Sequence, residues 1–363
     1  MRNIITETTL QLFATTQTTL MGTQSEGAYV AGGANNDLTA EMKTYYDMTL
    51  IDEASANLVH DQFGQKRPIP QGGGKTIEFR RFSSLPKATS PITEGVTPSG
   101  NSLNVSTVTS TVSQYGDFIV QSDVLELTAI DNTILEATKI LGRQAGATLD
   151  TVVRNVINSG TNVSFSSKVS GGSLSAVNAR SSLDDTAVLT VDDIQKAVTK
   201  LRGQNAPTVG GDYIAIIHPY VAYHLMRDKD WIDANKYGCP ENLYRGEIGK
   251  LFGVRFVQST EAKVWNDSTC PVKTAATDSA PAVYHSVFST LVFGDGAYGV
   301  TDVNGGGLET IIKQKGSAGT ADPLDQRSSV GWKALKTAEL LIENYLLRIE
   351  SVSPKFSATA KEN

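Results

Sequence analysis

The stretch from Thr133 to Ile157 limits the folds open to this chain more than any other part of it. Ile134, Leu141, Ala145, Leu149, Val152 and Val156 recur at steps of three, four and seven, which lines one face of a helix with apolar side chains. Thr133-Ile134-Leu135-Glu136 has the spacing of a capping box, and Asn158-Ser159-Gly160 supplies a stop. At 1.5 Å per residue the helix is roughly 38 Å long, enough to cross a domain instead of closing one edge of it. It reads as a spine, although the pattern alone also fits a core helix of any large domain.

With 363 residues the chain has ample apolar surface for a core and the length of two domains, or of one with large insertions. Its 32 Lys and Arg against 38 Asp and Glu leave a formal charge of −6, and no block of five like charges occurs. That argues against a dedicated nucleic-acid binder, which needs clustered cations to displace counterions from phosphates. Cys239 and Cys270, each followed by proline, are too few for a disulfide framework or a four-cysteine zinc site. The first thirty residues lack a continuous apolar run, so no secretory signal is expected. The apolar clusters at Tyr213 to Ile217 and Leu340 to Ile342 fall far short of the roughly 20 residues of a membrane-spanning helix.

Residues 1–39 are rich in Thr, Gln and small side chains, a composition for either a disordered tail or an arm ordered against another subunit. Leu50, Ala54 and Leu58, with Ile51 and Val59, predict one amphipathic helix over Ala40 to Gln62. Thr76 to Phe82 and Leu103 to Val112 read as two strands of a long hairpin within Gly64 to Asp117, its tip broken by Pro86, Pro91, Gly95, Pro98 and Gly100. An isolated two-stranded hairpin is marginal in water, so this one needs something to lie on. Thr161 to Asp185 reads as a connector. Thr190 to Asp193 opens a helix through Leu201, Tyr213 to Ile217 is a central strand, and His218-Pro219 starts another helix. Asp228 to Asn242 reads as a charged surface loop, and strands follow at Val254 to Val257, Val283 to Phe293 and Leu308 to Ile312. Ser329 to Val352 reads as two long β-segments hinged near Asn344. Helices and strands alternate without a regular βαβ period, so the fold class is α+β.

Little in the chain points to chemistry. Gln71 to Thr76 ends like a phosphate-binding loop, but the position for its first glycine is Ile69, and Lys75-Thr76 opens a strand where such a loop must open a helix. His60, His218, His224 and His285 are scattered, and His218 and His224 lie on opposing helix faces, so no metal site is expected. Asp228, Asp230 and Asp233 lack the glycine and glutamate of a calcium loop. No nucleophile elbow occurs. No catalytic residue and no cofactor is expected; an enzyme built on the Lys75 loop is the rival that nucleotide turnover would reveal.

The ordered parts, and the stretches Phe63-Gly64-Gln65-Lys66, Gly72-Gly73-Gly74-Lys75-Thr76-Ile77, His218-Pro219, Gly246 to Phe256, and Asp322 to Arg327 leading to Gly331-Trp332-Lys333, resemble tailed bacteriophage major capsid proteins of the N-four type, with the Hong Kong 97-type fold. The resemblance spans nearly the whole chain. It implies an N-terminal arm (1–39), an N-terminal helix (40–63) and an extended hairpin loop (64–117). It further implies a spine helix with the first part of a peripheral domain (118–184), an axial domain (185–307) and the C-terminal β-segments of the peripheral domain (308–363). It implies self-assembly into hexamers and pentamers of an icosahedral head around double-stranded DNA, which is contacted only non-specifically. Portal, scaffold and cementing proteins are the other partners it implies, with no membrane; the chain would pass from the host cytoplasm to the virion. Arg80, Arg81, Pro86 and Glu94 on the hairpin are the candidate inter-subunit residues. A different self-assembling virion protein, such as a tail or adhesin component, is the alternative that the Thr- and Ser-rich β-segments suggest.

Overall fold

A computed structural model describes residues 40–55, 57–68, 75–82, 85, 87–97, 100–128, 133–170, 173–238, 249–274, 283–302, 308–317, 322–356, 360, 362 and 363. They divide into two compact units, one drawn from 40–58, 114–149 and 308–335, the other from 59–113, 150–302 and 336–363. The predicted spine forms as one helix, Thr133–Ile157, with its residues to Leu149 in the first unit and those from Asp150 in the second. Thr133 is its first helical residue, and the Thr133 hydroxyl donates to Gln121 Oε1 at 3.2 Å, which ties the helix start to a neighbouring strand.

In the first unit the helix Ala40–Ser55 packs on the spine where Gly142 and Gly146, one turn apart, present bare backbone. A Cβ at Gly142 would lie 2.9 Å from the Leu50 carbonyl oxygen, and one at Gly146 would overlap the Ala54 carbonyl oxygen. Only glycine allows this approach. Strands Leu308–Lys313, Arg327–Lys336 and Ser113–Ser122 form a sheet in that order. Leu50, Ala54, Leu58, Leu141, Ala145, Leu149, Leu308, Val330, Trp332 and Ala334 close the core. The helix predicted to reach Gln62 stops at Ser55. Leu58 and Val59 keep helical spacing in sequence but serve different cores, Leu58 in this unit and Val59 in the other, so the backbone has to turn between them.

The second unit is built on a mixed sheet, seven-stranded among the described residues. Its main order is Val163–Phe165, Leu346–Val352, Val287–Phe293, Tyr213–Ile217, Val254–Gln258 and Lys250–Leu251, with Val264–Trp265 also paired to Val287–Phe293. Tyr213–Ile217 is buried at every residue, as a central strand covered on both faces should be. Val191–Gly203 starts with the predicted capping box, Thr190 and Asp193 satisfying each other's backbone donors, and Pro219–Met226 has proline in its first turn behind the cap His218. Three expectations need correction. Asp228 to Gly238 is no loop: Lys229–Gly238 is a helix started by Asp228 and anchored by Trp231, 1% exposed, with Lys229 and Asp230 exposed, while Cys239 to Asn242 lie outside the described residues. Thr161 to Asp185 is more than a connector, since Val163–Phe165 forms the sheet edge in parallel with Leu346–Val352. The C-terminal segment carries three strands, Arg327–Lys336, Ala338–Leu340 and Leu346–Val352, with a 3-10 turn at Glu343–Tyr345 where the hinge was expected. That segment divides between the units after Leu335, because Leu346–Val352 is needed inside the second sheet.

Candidate assembly surface

The hairpin pairs Thr76–Phe82 antiparallel with Val105–Thr111, from Thr76 opposite Thr111 to Phe82 opposite Val105. Period-2 alternation sends Ile77 and Phe79 inward against Leu341, with Val108, Val112 and Ile342 alongside, and leaves Glu78 and Arg80 exposed on the other face. Ser110 and Thr337 hydroxyls join at 2.6 Å. The base of the hairpin is thus bound to the second unit. The ladder ends at Phe82 opposite Val105, itself exposed, and beyond it Leu85, Ile92, Val96 and Leu103 are exposed, Ile92 by 75%. Burying an aliphatic side chain of this size is worth roughly 1.5–3 kcal/mol, so five left in water are a large unspent driving force for contact.

The same alternation separates the two arginines that looked equivalent in sequence. Arg81 shares the inward parity of Phe79 and donates to the Leu341 carbonyl at 3.3 Å, whereas Arg80 faces outward, and Glu94 lies exposed near the tip. Pro86 lies outside the described residues, as do Gln71 to Gly74 of the glycine turn. Lys75 precedes the strand Thr76–Phe82, the arrangement read against a phosphate loop. The first unit has its own exposed apolar side chains: Phe118 and Val120, two apart on Ser113–Ser122, and Tyr45 and Met48, three apart on Ala40–Ser55. Sequence reading missed these, since a strand that covers one face and one that offers it to a partner have the same composition.

Charge inside the second unit is structural. His60 Nδ1 lies 2.6 Å from Asp150 Oδ2, and the Asp150 carboxylate also accepts the His60 amide at 2.7 Å. Lys336 Nζ donates to Asp61 and, at 2.8 Å, to the Thr301 carbonyl, while the Tyr298 hydroxyl donates to the His60 carbonyl at 2.6 Å. Burial holds the Tyr298 phenol well above its ordinary range, with Asp61 and Asp150 adding to the effect. Burial pulls the Lys336 ammonium down, opposed by Asp61. No sequence signal marks this cluster, because His60, Asp61, Asp150 and Lys336 are far apart in the chain. Elsewhere Glu350, 1% exposed, accepts two 2.7 Å bonds from Arg180 and one of 2.9 Å from Arg348.

Among the described residues no group of three or more His, Cys, Asp or Glu could hold a metal ion. His218 Nδ1 accepts the Tyr220 amide as a helix cap, and burial lowers its pKa to about 4. Burial raises the Cys270 thiol. An open cleft of about 370 Å³ beside Val163–Phe165 includes Asp193 and Lys196, but Asp193 is committed to capping its helix.

Residues 105–339 match the family described as phage capsid protein. The chain belongs to that family. No curated protein matches the sequence. Solved structures agree on the fold of this capsid protein. The capsid structure of the cyanophage P-SCSP1u aligns with a TM-score of 0.57 at 16% identity, covering 80% of this chain and 87% of that one. The capsid of Ralstonia phage GP4 gives 0.58 at 13%, covering 82% and 88%, and the capsid asymmetric unit of cyanophage Pam1 gives 0.55 at 14%, covering 77% and 86%. The mixed α+β architecture and the role of a major structural capsid component therefore stand together.

Proposed function

We propose that this major capsid protein assembles into hexamers and pentamers of an icosahedral Hong Kong 97-type head of the N-four type, enclosing double-stranded DNA, with the hairpin of each copy reaching a neighbour. The observation that carries this is the set Leu85, Ile92, Val96 and Leu103, exposed beyond the last paired residues, with Val105 exposed in the last pair, of a hairpin whose base is held by Phe79 and Ile77. A second copy can cover them, and many repeated modest contacts add up to a stable shell. Arg80 and Glu94 supply outward charges to that contact, Pro86, outside the described residues, remains a further inter-subunit candidate, and Arg81 fixes the hairpin to its own subunit. Residues 64–117 act as the extended loop, 185–307 as the axial domain, 118–184 and 308–363 as the peripheral parts, 40–63 as the N-terminal helix and 1–39 as an arm. The protein acts without an active site, is made in the host cytoplasm, and meets portal, scaffold or cementing proteins only in the course of assembly.

Deleting residues 83–102 tests the reading. The shortened chain keeps its far-ultraviolet circular dichroism and melts within a few degrees of the parent, while negative-stain images show no closed shells. Shells of unchanged size and yield would defeat it.

A further inference from the structure

In the second unit two cations converge on one phenol. Tyr223 lies in the helix Pro219–Met226, Arg227 is that helix's C-cap, and Lys355 follows the strand Leu346–Val352. Arg227 donates to the Tyr223 hydroxyl oxygen at 3.1 Å and Lys355 at 3.2 Å. Phe356 packs edge-on against Tyr223 at 5.4 Å and stacks on Tyr220 at 4.6 Å, which anchors the segment bearing Lys355. Elsewhere Lys139, Arg143, Lys196, Lys250 and Lys333 pair with carboxylates, while Lys87, Arg255 and Lys273 stand exposed without an ion pair among the described residues. Among the described residues Arg227 and Lys355 have no acidic partner, although the chain carries a net charge of −6.

A helix C-terminus tolerates cations, which accounts for each of them singly. Both also lie over the Tyr223 ring, Arg227 at 5.5 Å and Lys355 at 5.1 Å from its centroid, so the ring face offsets part of their mutual repulsion while the two charges stay together without a counter-ion. The hydrogen bond from Lys355, with the charge of Arg227, draws the Tyr223 phenol below its ordinary pKa. Because that oxygen accepts from both cations, its own hydrogen is left to donate outward. His224 alongside is held by Ser353 at 3.0 Å and kept toward its neutral form by burial first, then by Lys355 and Arg227. A phenol, a guanidinium and an ammonium that share one acceptor offer three converging donors, the complement of a tetrahedral oxyanion.

We propose that Tyr223, Arg227 and Lys355 form a binding site for a phosphate-type oxyanion, supplied either as free phosphate or as the backbone of a nucleic acid. The test uses the full chain, R227Q/K355Q and Y223F, with inorganic phosphate titrated by calorimetry and a short DNA duplex by fluorescence anisotropy across a salt series. The wild type binds phosphate saturably, R227Q/K355Q binds about tenfold or more weakly, and Y223F falls in between, the losses expected when charge-assisted donors are removed. If the duplex is the natural source, R227Q/K355Q also lowers the slope of log affinity against log salt by about two. If free phosphate is the source, duplex binding is the same in all three proteins while phosphate binding falls. K355Q alone, at an exposed position after the last strand, serves if the double variant fails to fold. Absence of saturable binding of either probe by the wild type, or equal affinities for both in wild type and variants, overturns the proposal.

Discussion

The strand Tyr213–Ile217 and the end of the hairpin at Leu85 to Val105 are both rich in aliphatic side chains, and they meet opposite fates. The strand lies between Val287–Phe293 and Val254–Gln258 with every residue buried. The hairpin end has no second layer among the described residues, and its aliphatic side chains stand in water. In the strand, apolar side chains stabilise one molecule. At the hairpin end the same side chains have no such partner among the described residues, and under the proposed function they act when another copy covers them.

Paired substitutions test that contrast. Ile216→Asp puts a carboxylate where Ile216 is 1% exposed, and the subunit is expected to lose on the order of 5 kcal/mol and fail to fold. Ile92→Asp at the hairpin end shifts urea unfolding of the isolated subunit by less than about 0.5 kcal/mol while reducing shell yield in electron micrographs. If both variants unfold alike, the two regions do not differ as described. Next in size, Glu350→Gln leaves Arg180 and Arg348 without their shared counter-charge, and a loss of roughly 3–5 kcal/mol is expected in chemical denaturation. A change below 1 kcal/mol would show the sheet's ionic interior to be as expendable as a surface pair.

The smallest effect is acid dependence. His218 has a folded pKa of about 4 against 6.5 for the free side chain, so between these values the unfolded chain binds more protons. Its contribution is complete above pH 6.5 and is lost as pH falls toward 4. His218→Asn retains a capping side chain without that proton uptake, so the wild type should lose about 2 kcal/mol relative to the variant between pH 7 and 4.5. Parallel stability curves for the two proteins would remove His218 from the account.

Much of the fold was legible where neighbours in sequence are neighbours in space. The extent of Thr133–Ile157, the Thr190–Asp193 capping box, the proline start behind His218 and the strand at Tyr213 all depend on hydrogen bonds and side-chain stripes within a few residues. Misreadings came where a residue's partner is remote. Leu58 and Val59 continue a helical pattern yet serve separate cores, and Trp231 looked like part of a surface loop because the wall it packs on is not in its own segment. The paired glycines Gly142 and Gly146 were a usable signal that went unread. The assembly surface was half legible: a hairpin in need of support could be inferred, but not that Arg81 is tied to Leu341 while Arg80 faces outward.

By itself, then, the sequence determined the long helix Thr133–Ile157, the helix opening at Thr190, the helix behind His218 and the strands at Thr76 and Tyr213, because those choices follow from local hydrogen bonding and from the period of the apolar residues. Tertiary structure alone decided that Leu346–Val352 lies between Val163–Phe165 and Val287–Phe293, that His60, Asp61, Asp150 and Lys336 gather in one buried cluster, and which aliphatic side chains stay in water. Burial and ion pairing depend on distance in space, and residues far apart in the chain carry no local mark of the partner they will meet.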